Sequence, residues 1–175
     1  MVTLTKFGLL SDSHGRAAIT QRAVGMLRDE GAEMLLHLGD LESEQVIDAL
    51  LVPSTATGDA LPVRLVFGNV DWDMSGLGRY AADLGIHVDH PAGHIDLGDG
   101  RMLVFTHGHD ARVFNQALAA GAAYLCHGHT HVAADRHEGS THLINPGALF
   151  RTTRPSVALL DTAEDQVRFF DVDRS

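Results

Sequence analysis

The sequence predicts an α/β fold in which two packed sheets carry helices on their outer faces. Strands and helices alternate in the first half of the chain, a tight hairpin opens the second half, and five strand candidates follow later. Alternation favours a largely parallel sheet, whereas a hairpin requires antiparallel pairing, so both kinds of pairing are expected. The 175 residues contain no linker or internal repeat, which indicates one domain spanning 1–175.

The first half shows helical periodicity between short apolar runs. In the first helix Ile19, Ala23 and Leu27 lie at helical spacing, and Gly31 ends the pattern. We expect the crossovers between the parallel strands to be right-handed. In chain order the predicted elements are a strand at 6–10, a helix at 16–30, a strand at 33–38, a helix at 44–51 and a strand at 62–67.

The second half begins with antiparallel pairing, because Asp99 and Gly100 form a tight turn between two apolar runs. One helix and five strands follow, and together with the first half they suggest two packed sheets. The predicted elements are strands at 94–97 and 102–105, a helix at 112–120, and strands at 124–126, 132–137, 142–144, 156–160 and 166–170.

The composition excludes several classes of function. The chain has 13 basic and 23 acidic residues, with a net charge of −10, so duplex nucleic acid would be repelled although small phosphates would not. No apolar run approaches the roughly 18 residues of a membrane span, and the first ten residues lack signal-peptide features. We therefore expect a cytoplasmic protein without membrane contact. The count of 12 histidines is unusual, since imidazole is a common ligand of divalent transition metals.

Polar residues cluster where the predicted strands end. Each cluster is a turn with potential metal ligands beside a glycine, which lets the backbone turn sharply. Because the carboxyl ends of strands in an open α/β sheet share one edge, we expect these clusters to converge. They are Asp12-Ser13-His14-Gly15, Gly39-Asp40, Gly68-Asn69, His107-Gly108-His109 and Gly128-His129-Thr130-His131.

The clusters offer a mixed set of oxygen and imidazole donors. Such a set suits Mn²⁺, Fe, Zn²⁺, Ni²⁺ or Co²⁺ better than Ca²⁺, which prefers oxygen alone. There are more of these donors than the roughly four to six coordination positions of one transition ion. They divide naturally between two ions about 3.5 to 4 Å apart that share a carboxylate. A structural zinc site, with about four ligands around one ion, is a poorer match. The donors are Asp12, His14, Asp40, Asn69, His107, His129 and His131.

The order of these motifs resembles the calcineurin-like metallophosphoesterases. Within that family it is most similar to the small bacterial and archaeal phosphodiesterases related to the retromer subunit Vps29. The similarity runs from Asp12 to Gly147 and covers Asp-x-His, Gly-Asp, Gly-Asn, His and Gly-His-x-His, followed by Asn145-Pro146-Gly147. It implies a four-layer α/β/β/α sandwich of two mixed sheets, with a dinuclear site above the strand ends.

The resemblance also implies a mechanism and a role for each donor. A phosphate ester would be hydrolysed by a hydroxide that bridges two divalent ions, of which Mn²⁺ is the first choice. Coordination can lower the pKa of water from 15.7 to about 7, so no protein nucleophile is needed. Asn69 would also orient the phosphate. By position, Asp12, His14 and His131 would hold the first ion, Asn69, His107 and His129 the second, and Asp40 would bridge them.

The sequence departs from the wider family at Val70, where many members have a histidine that can protonate the leaving group. Valine cannot donate a proton, so His109 becomes the nearest candidate for the general acid. A smaller departure is Ala148, where the subgroup often has serine.

Several of these residues also have a purely structural interpretation. Asp12 could cap the helix that follows it, and Gly39-Asp40 and Gly68-Asn69 are common turn signals. We interpret Asp71 as a hydrogen-bonding partner within its own loop. His37, inside an apolar strand, is interpreted as a hydrogen-bonded core residue.

Four further residues near the clusters have two interpretations each. Trp72 is interpreted as a packing residue, with stacking on a base or aryl group as the alternative. Arg16, Arg151 and Arg154 are candidate phosphate contacts, because guanidinium forks match phosphate oxygens; solvated surface residues are the alternative.

The resulting hypothesis is hydrolysis of a small phosphodiester, with phosphomonoesters as weaker substrates. A protein phosphatase with the same site is less favoured, because the short chain leaves little surface for gripping a folded protein. A noncatalytic Vps29-like scaffold is the alternative from another class, although every donor position holds a competent side chain. The sequence is compatible with a homo-oligomer, but no apolar stripe requires one.

Overall fold

The computed structural model describes residues 4–174, in which two sheets and four helices form. None of these helices is long and apolar enough to cross a membrane. The strands are β1 Lys6–Leu10, β2 Met34–His37, β3 Val63–Leu65, β4 His87–Val88, β5 Ala92–Gly98, β6 Arg101–Thr106, β7 Tyr124–Cys126, β8 Ala134–Glu138, β9 Thr141–Asn145, β10 Ser156–Asp161 and β11 Gln166–Asp171. The helices are α1 Ala17–Asp29, α2 Glu44–Ala49, α3 Met74–Asp83 and α4 Ala111–Ala119.

Both sheets are mixed, which confirms the predicted fold class. The first sheet has the order β11-β10-β1-β2-β3-β4. In it β1 to β4 run parallel to one another, and β10 runs antiparallel to both of its neighbours, β1 and β11. The second has the order β5-β6-β7-β9-β8, with β6, β7 and β9 parallel and an antiparallel strand at each edge. The predicted hairpin is the β5–β6 pair.

The alternation of side chains along the strands separates the protein into four layers. In β1, Leu10 belongs to the core between the first sheet and helices α1 to α3. Its neighbour Leu9 points the other way, into the core between the two sheets, where Phe105 also lies. On the far side, Leu125 of β7 packs with Phe114 of α4. The order of layers is therefore α/β/β/α, as expected.

The sequence prediction lacks α3 and β4. Gly76 and Gly78 lie inside α3, and glycine costs about 1 kcal/mol relative to alanine in a helix. The helix forms because the Asp73 side chain accepts a hydrogen bond from the Gly76 N–H at 2.9 Å and because Leu77 and Ala81 are buried. The two residues of β4 are too few to show a strand period.

The central strands of both sheets end at one edge of the sandwich. The loops that follow β1, β2, β3, β6 and β7 carry the predicted donors. Backbone hydrogen bonds join neighbouring loops: the Asp12 N–H donates to the Gly39 carbonyl, and the Gly128 N–H donates to the His107 carbonyl, each at 3.0 Å. Clusters that are distant in sequence therefore meet.

Candidate metal centre

The backbone is strained at most of the donor positions. Non-glycine residues rarely adopt a left-handed conformation, which costs on the order of 1 to 3 kcal/mol each and persists where the surrounding structure enforces it. Such strain concentrates at functional sites. The angle φ is 56° at Asp12, 45° at His14, 59° at Asp40, 69° at His129 and 60° at His131.

The first donor group brings together Asp12, His14, Asp40 and His131, whose ligand atoms all lie within 4.8 Å of one another. His131 Nε2 is 3.0 Å from Asp12 Oδ1, and His14 Nε2 is 3.7 Å from Asp40 Oδ2. The two imidazole Nε2 atoms are 3.4 Å apart. Asp12, His14 and Asp40 are buried, so these groups face each other with little water between them.

The second donor group lies on the other side of Asp40. His107 Nε2 is 3.4 Å from Asp40 Oδ2 and 3.1 Å from Asn69 Oδ1. The ring of His129 stands edge-on to that of His107, with 5.1 Å between centroids. Asp40 Oδ2 is therefore within 4 Å of an imidazole from each group.

Hydrogen bonds on the outer side fix the orientation of the donors. The Nδ1–H of the buried His107 donates to the Leu38 carbonyl at 2.7 Å, which leaves Nε2 as the ring nitrogen that faces Asp40. The other Asp12 oxygen, Oδ2, accepts from the His129 N–H at 3.1 Å. A ring whose far nitrogen donates to a carbonyl is the arrangement that metal-binding histidines adopt.

Asn145 supports the loop that carries His129 and His131. Its Nδ2 donates to the Gly128 carbonyl at 2.9 Å and to Thr130 Oγ1 at 3.0 Å. Its Oδ1 accepts from the Gly147 N–H at 2.9 Å. The Asn-Pro-Gly turn noted in the sequence thus holds the donor loop in place through hydrogen bonds to Gly128 and Thr130.

Two glycines allow the carboxylates to approach the backbone closely. A Cβ at Gly68 would lie 2.0 Å from Asp40 Oδ1, and a Cβ at Gly128 would lie 1.9 Å from Ser11 Oγ and 2.8 Å from Asp12 Oδ2. Neither position has space for a side chain. The glycines are therefore required by contact.

The donors fit divalent cations. Asp12 Oδ1 and His14 Nδ1 are buried polar atoms that make no well-aligned hydrogen bond among residues 4–174, although His131 Nε2 lies 3.0 Å from the first and Glu42 Oε2 lies 3.4 Å from the second. An unpartnered buried polar atom costs about 1 to 3 kcal/mol, so it indicates a missing partner at the site. Carboxylate oxygen and imidazole nitrogen are suitable ligands for the borderline transition ions.

The site keeps Asp40 ionised. Burial alone would raise the pKa of Asp40, but His107, the Val70 N–H and His14 outweigh burial and lower it to about 2. The pKa of His107 is raised: burial would lower it, and the neighbouring Asp40 carboxylate prevails. For His129 the pKa is lowered by burial and then by the charge of His107.

His109 lies at the rim of the second donor group and is exposed. Its ring centroid is 5.4 Å from that of His107 and 6.1 Å from that of His129. Its pKa is lowered, first by partial burial and then by the charges of His107 and His129.

Val70 contributes its backbone to the site, because its N–H donates to Asp40 Oδ1 at 3.1 Å.

Two structural interpretations are wrong. Asp12 does not cap α1, because the N-cap residue is Arg16 and no side chain makes a capping hydrogen bond there; the Asp12 carboxylate points into the donor group instead. Trp72 is not a packing residue, since it is 87% exposed. It belongs to a polar loop beside the donors, and nothing in residues 4–174 covers it.

Other interpretations are confirmed or extended. His37 is a hydrogen-bonded core residue: Nε2 is 2.8 Å from Ser13 Oγ, and Nδ1 accepts from the Gly39 N–H at 3.2 Å. Arg154 pairs with Asp171 at 2.7 Å, so a carboxylate already balances its charge.

Sequence reasoning missed Glu42. Its Oε2 lies 3.4 Å from His14 Nδ1, and its φ of 66° places it in the left-handed region. Its position two residues after Asp40 is the only local signal.

This protein combines a four-layer sandwich with carboxylates and imidazoles gathered at its strand ends, which is the arrangement of a metal-dependent phosphoester hydrolase. The chain belongs to the calcineurin-like phosphoesterase superfamily, because residues 5–165 match that family's domain. Membership confirms the resemblance noted in the motifs and the class of enzyme, a phosphoric ester hydrolase.

Relatives agree in length and fold. A phosphodiesterase from Methanocaldococcus jannaschii is 25% identical over 169 residues, covering 93% of this chain and 96% of the relative. A probable metallophosphoesterase from Bacillus subtilis is 27% identical over 175 residues, covering 93% and 89%. The solved structure of an archaeal phosphodiesterase matches with a TM-score of 0.81 at 25% identity, covering 95% of this chain and 99% of that one. Vps29 of Entamoeba histolytica, solved with Zn²⁺, matches in fold with a TM-score of 0.65 at 21% identity, covering 97% and 94%.

Proposed function

We propose that this protein hydrolyses a small phosphodiester with the help of two divalent ions, Mn²⁺ being the first choice. The observation that carries the proposal is the position of Asp40, whose Oδ2 lies 3.7 Å from His14 Nε2 and 3.4 Å from His107 Nε2. A carboxylate between two donor groups is suited to bridge two ions.

The donors divide around Asp40 into two sets. One ion would be held by Asp12, His14 and His131, and the other by Asn69, His107 and His129, with Asp40 shared. The unpartnered Oδ1 of Asp12 and the inward-facing Nε2 of His107 support this division. When bound, such a pair of ions supplies a hydroxide from water near neutral pH and neutralises charge on the phosphate.

The protein's own groups would position and protonate the substrate. The exposed amide of Asn69 can donate its N–H groups to a phosphate oxygen while its Oδ1 faces the ions. His109, at the rim, would protonate the leaving oxygen, because the side chain of Val70 has no proton to donate. No side-chain nucleophile is required.

One further fact supports a small phosphodiester. The relative from Methanocaldococcus jannaschii, which aligns over 93% of this chain, is a phosphodiesterase.

The decisive experiment measures metal content and hydrolysis together. Wild type, Asp40→Asn and the exposed-surface control Asp83→Asn are loaded with Mn²⁺ and assayed on bis(4-nitrophenyl) phosphate and 4-nitrophenyl phosphate. In wild type and the control we expect about two ions per chain, and we expect the diester to be hydrolysed faster than the monoester. Asp40→Asn should lose the turnover and bind fewer ions, while circular dichroism checks that it is folded.

Each contrary result has a definite meaning. Two ions per chain without turnover of either ester would overturn catalysis and favour the noncatalytic scaffold. One ion per chain with full turnover would remove the bridging role of Asp40. Turnover of the monoester alone would replace the diester by a phosphomonoester as substrate.

The role of His109 has a separate test. In His109→Ala, diesters with poor leaving groups should slow by about 10²- to 10⁴-fold, while activated aryl diesters should change little. The matched control is His94→Ala, an exposed histidine on β5. An equal slowing across leaving groups would show that His109 is not the general acid.

A further inference from the structure

A cavity of about 630 Å³ lies between the start of α1 and residues 149–152. Its walls include four arginines from three distant parts of the chain, together with the ring of Phe150. Its size is within the range of small-molecule sites, about 300 to 1,000 Å³. The arginines are Arg16, Arg22, Arg151 and Arg174.

These arginines carry uncompensated positive charge in an acidic protein. Several other surface arginines have acidic partners, such as Arg154 with Asp171 and Arg168 with Glu30. None of the four in the cavity has a carboxylate within 4.0 Å among residues 4–174. With a net charge of −10 for the whole chain, this concentration of basic side chains is a local exception that favours an anionic ligand.

Backbone hydrogen bonds hold two of the arginines at the cavity wall. Arg22 Nε donates to the Asp173 carbonyl at 3.0 Å, and Arg174 Nη2 donates to the Thr152 carbonyl. Each of these contacts uses only part of the guanidinium, which has five N–H groups. The remaining donors are available to a ligand.

The cavity adjoins the first donor group. The Phe150 N–H donates to the Asp12 carbonyl at 3.1 Å, and the Phe150 ring centroid is 6.1 Å from that of His14. His131 Nδ1 lies 3.4 Å from the Arg151 carbonyl. The guanidinium of Arg16 stacks over the same Phe150 ring, 4.2 Å from its centroid. A substrate whose phosphorus is at the donors can therefore reach the arginines with a short arm.

A second cavity, beside the loop that follows Asp40, has the other charge. It is lined by Glu42, Glu44 and Asp73 together with the exposed Trp72. An anionic arm would be repelled from this cavity and attracted to the arginines. The two cavities thus distinguish the two arms of a diester.

We propose that the arginine-lined cavity holds a second phosphate group, so that the preferred substrate is a phosphodiester with a phosphate on one arm. Phosphate is favoured because its oxygens match the guanidinium fork and because a dianion uses several cations at once. This inference rests on the proposed phosphodiester hydrolysis. It adds the class of substrate and the residues that select it.

The test uses a matched pair of substrates. Both are 4-nitrophenyl phosphodiesters of propane-1,3-diol; one keeps the free hydroxyl at the far end of the arm, and the other carries a phosphate there. Release of 4-nitrophenolate reports cleavage of the diester alone. We expect wild type to favour the phosphorylated substrate by about tenfold or more in kcat/KM, the scale of a charge-assisted hydrogen bond.

Variants assign the preference to the cavity. The double variant Arg16→Gln/Arg151→Gln should lose the preference, so that its kcat/KM values for the two substrates lie within about twofold of each other. The control is Arg79→Gln, at an exposed arginine on α3 that also has no carboxylate partner within residues 4–174; it removes one positive charge where the double variant removes two. It should keep the preference.

A binding measurement separates failure of this inference from failure of the proposed function. Calorimetric titration of 3-hydroxypropyl phosphate into chelator-treated protein should show binding to wild type and to Arg79→Gln, and none to the double variant. If neither diester is hydrolysed, the proposed function fails and this titration alone decides the inference. Equal kcat/KM for the two substrates, or a preference that survives in the double variant, would overturn it.

Discussion

The Asp71 carboxylate accepts a hydrogen bond from the backbone N–H of Asp40, with 2.9 Å between Asp71 Oδ2 and the nitrogen. The same oxygen accepts from the Gly68 N–H at 2.7 Å, and Oδ1 accepts from the Glu42 N–H at 2.8 Å. Asp71 therefore joins its own loop to the loop that carries Asp40. The sequence interpretation, which limited Asp71 to its own loop, described half of this role.

Asp71→Asn should disturb both loops. An amide offers one oxygen instead of two, so at least one buried N–H faces an NH₂ group and loses its acceptor. We expect a loss of about 1 to 3 kcal/mol in the free energy of unfolding, measured in urea, together with reduced diester turnover. Asp29→Asn, at an exposed position of α1, is the control and should resemble wild type. Wild-type stability in Asp71→Asn would contradict the assigned role.

Asn145→Ala should weaken metal binding without touching any proposed ligand. The change removes the donor to the Gly128 carbonyl and to Thr130, so the segment with His129 and His131 loses its support. Loss of a group that orients ligands typically costs about 10- to 100-fold in metal affinity, which Mn²⁺ titration measures. Asn115→Ala, on the exposed face of α4, is the matched control. Equal affinities for the two variants would show that the contact does not matter.

Gly68→Ala should be severely impaired, because the new Cβ would overlap Asp40 Oδ1 and the Asp40 backbone nitrogen, at 2.0 and 2.6 Å. Either the loop or the Asp40 carboxylate must move. We expect destabilisation of about 1 to 3 kcal/mol or more, and loss of turnover even in the fraction that folds. In Gly25→Ala, inside α1, the new methyl meets nothing within 4 Å, so thermal unfolding should occur at or above the wild-type temperature. An active, stable Gly68→Ala protein would be inconsistent with this geometry.

The buried His37 should make the metal-free protein less stable in mild acid. Burial, followed by the charge of His107, lowers the pKa of His37 to about 3. Because His37 binds the proton more tightly in the unfolded chain, its contribution to stability is nearly constant above about pH 6.5 and falls as the pH drops toward 3. At pH 5 this loss amounts to roughly 2 kcal/mol relative to pH 7.

The variant His37→Gln isolates this effect. It should be less stable at pH 7 but should lose about 2 kcal/mol less than wild type between pH 7 and pH 5, measured by urea unfolding with a chelator present. His94→Gln, a change at an exposed histidine, should follow the wild-type profile. Parallel profiles for wild type and His37→Gln would rule out the assigned desolvation.

The positions of the clusters at the strand ends could be predicted because the clusters have local signatures. Asp40 and Asn69 follow a glycine directly after an apolar strand, and turn chemistry of that kind is readable from adjacent residues. α3 could not be predicted from its sequence pattern, because its two internal glycines oppose a helix. The burial of Leu77 and Ala81, which outweighs the glycines, depends on the tertiary structure. The exposure of Trp72 was also unpredictable, since its aromatic ring carries no local sign of which side of the loop it occupies.

The sequence by itself determined the order of most elements, the mixed pairing of the sheets and the positions of the clusters at the strand ends. These follow from apolar periodicity and turn chemistry, which are properties of neighbouring residues. Only the tertiary structure decided which atoms face each other: that Asp40 Oδ2 lies within 4 Å of both His14 and His107, that Asp71 joins two loops, and that Arg16 and Arg174 line one cavity. Such contacts join distant parts of the chain, and they depend on how the sheets and their loops pack in three dimensions.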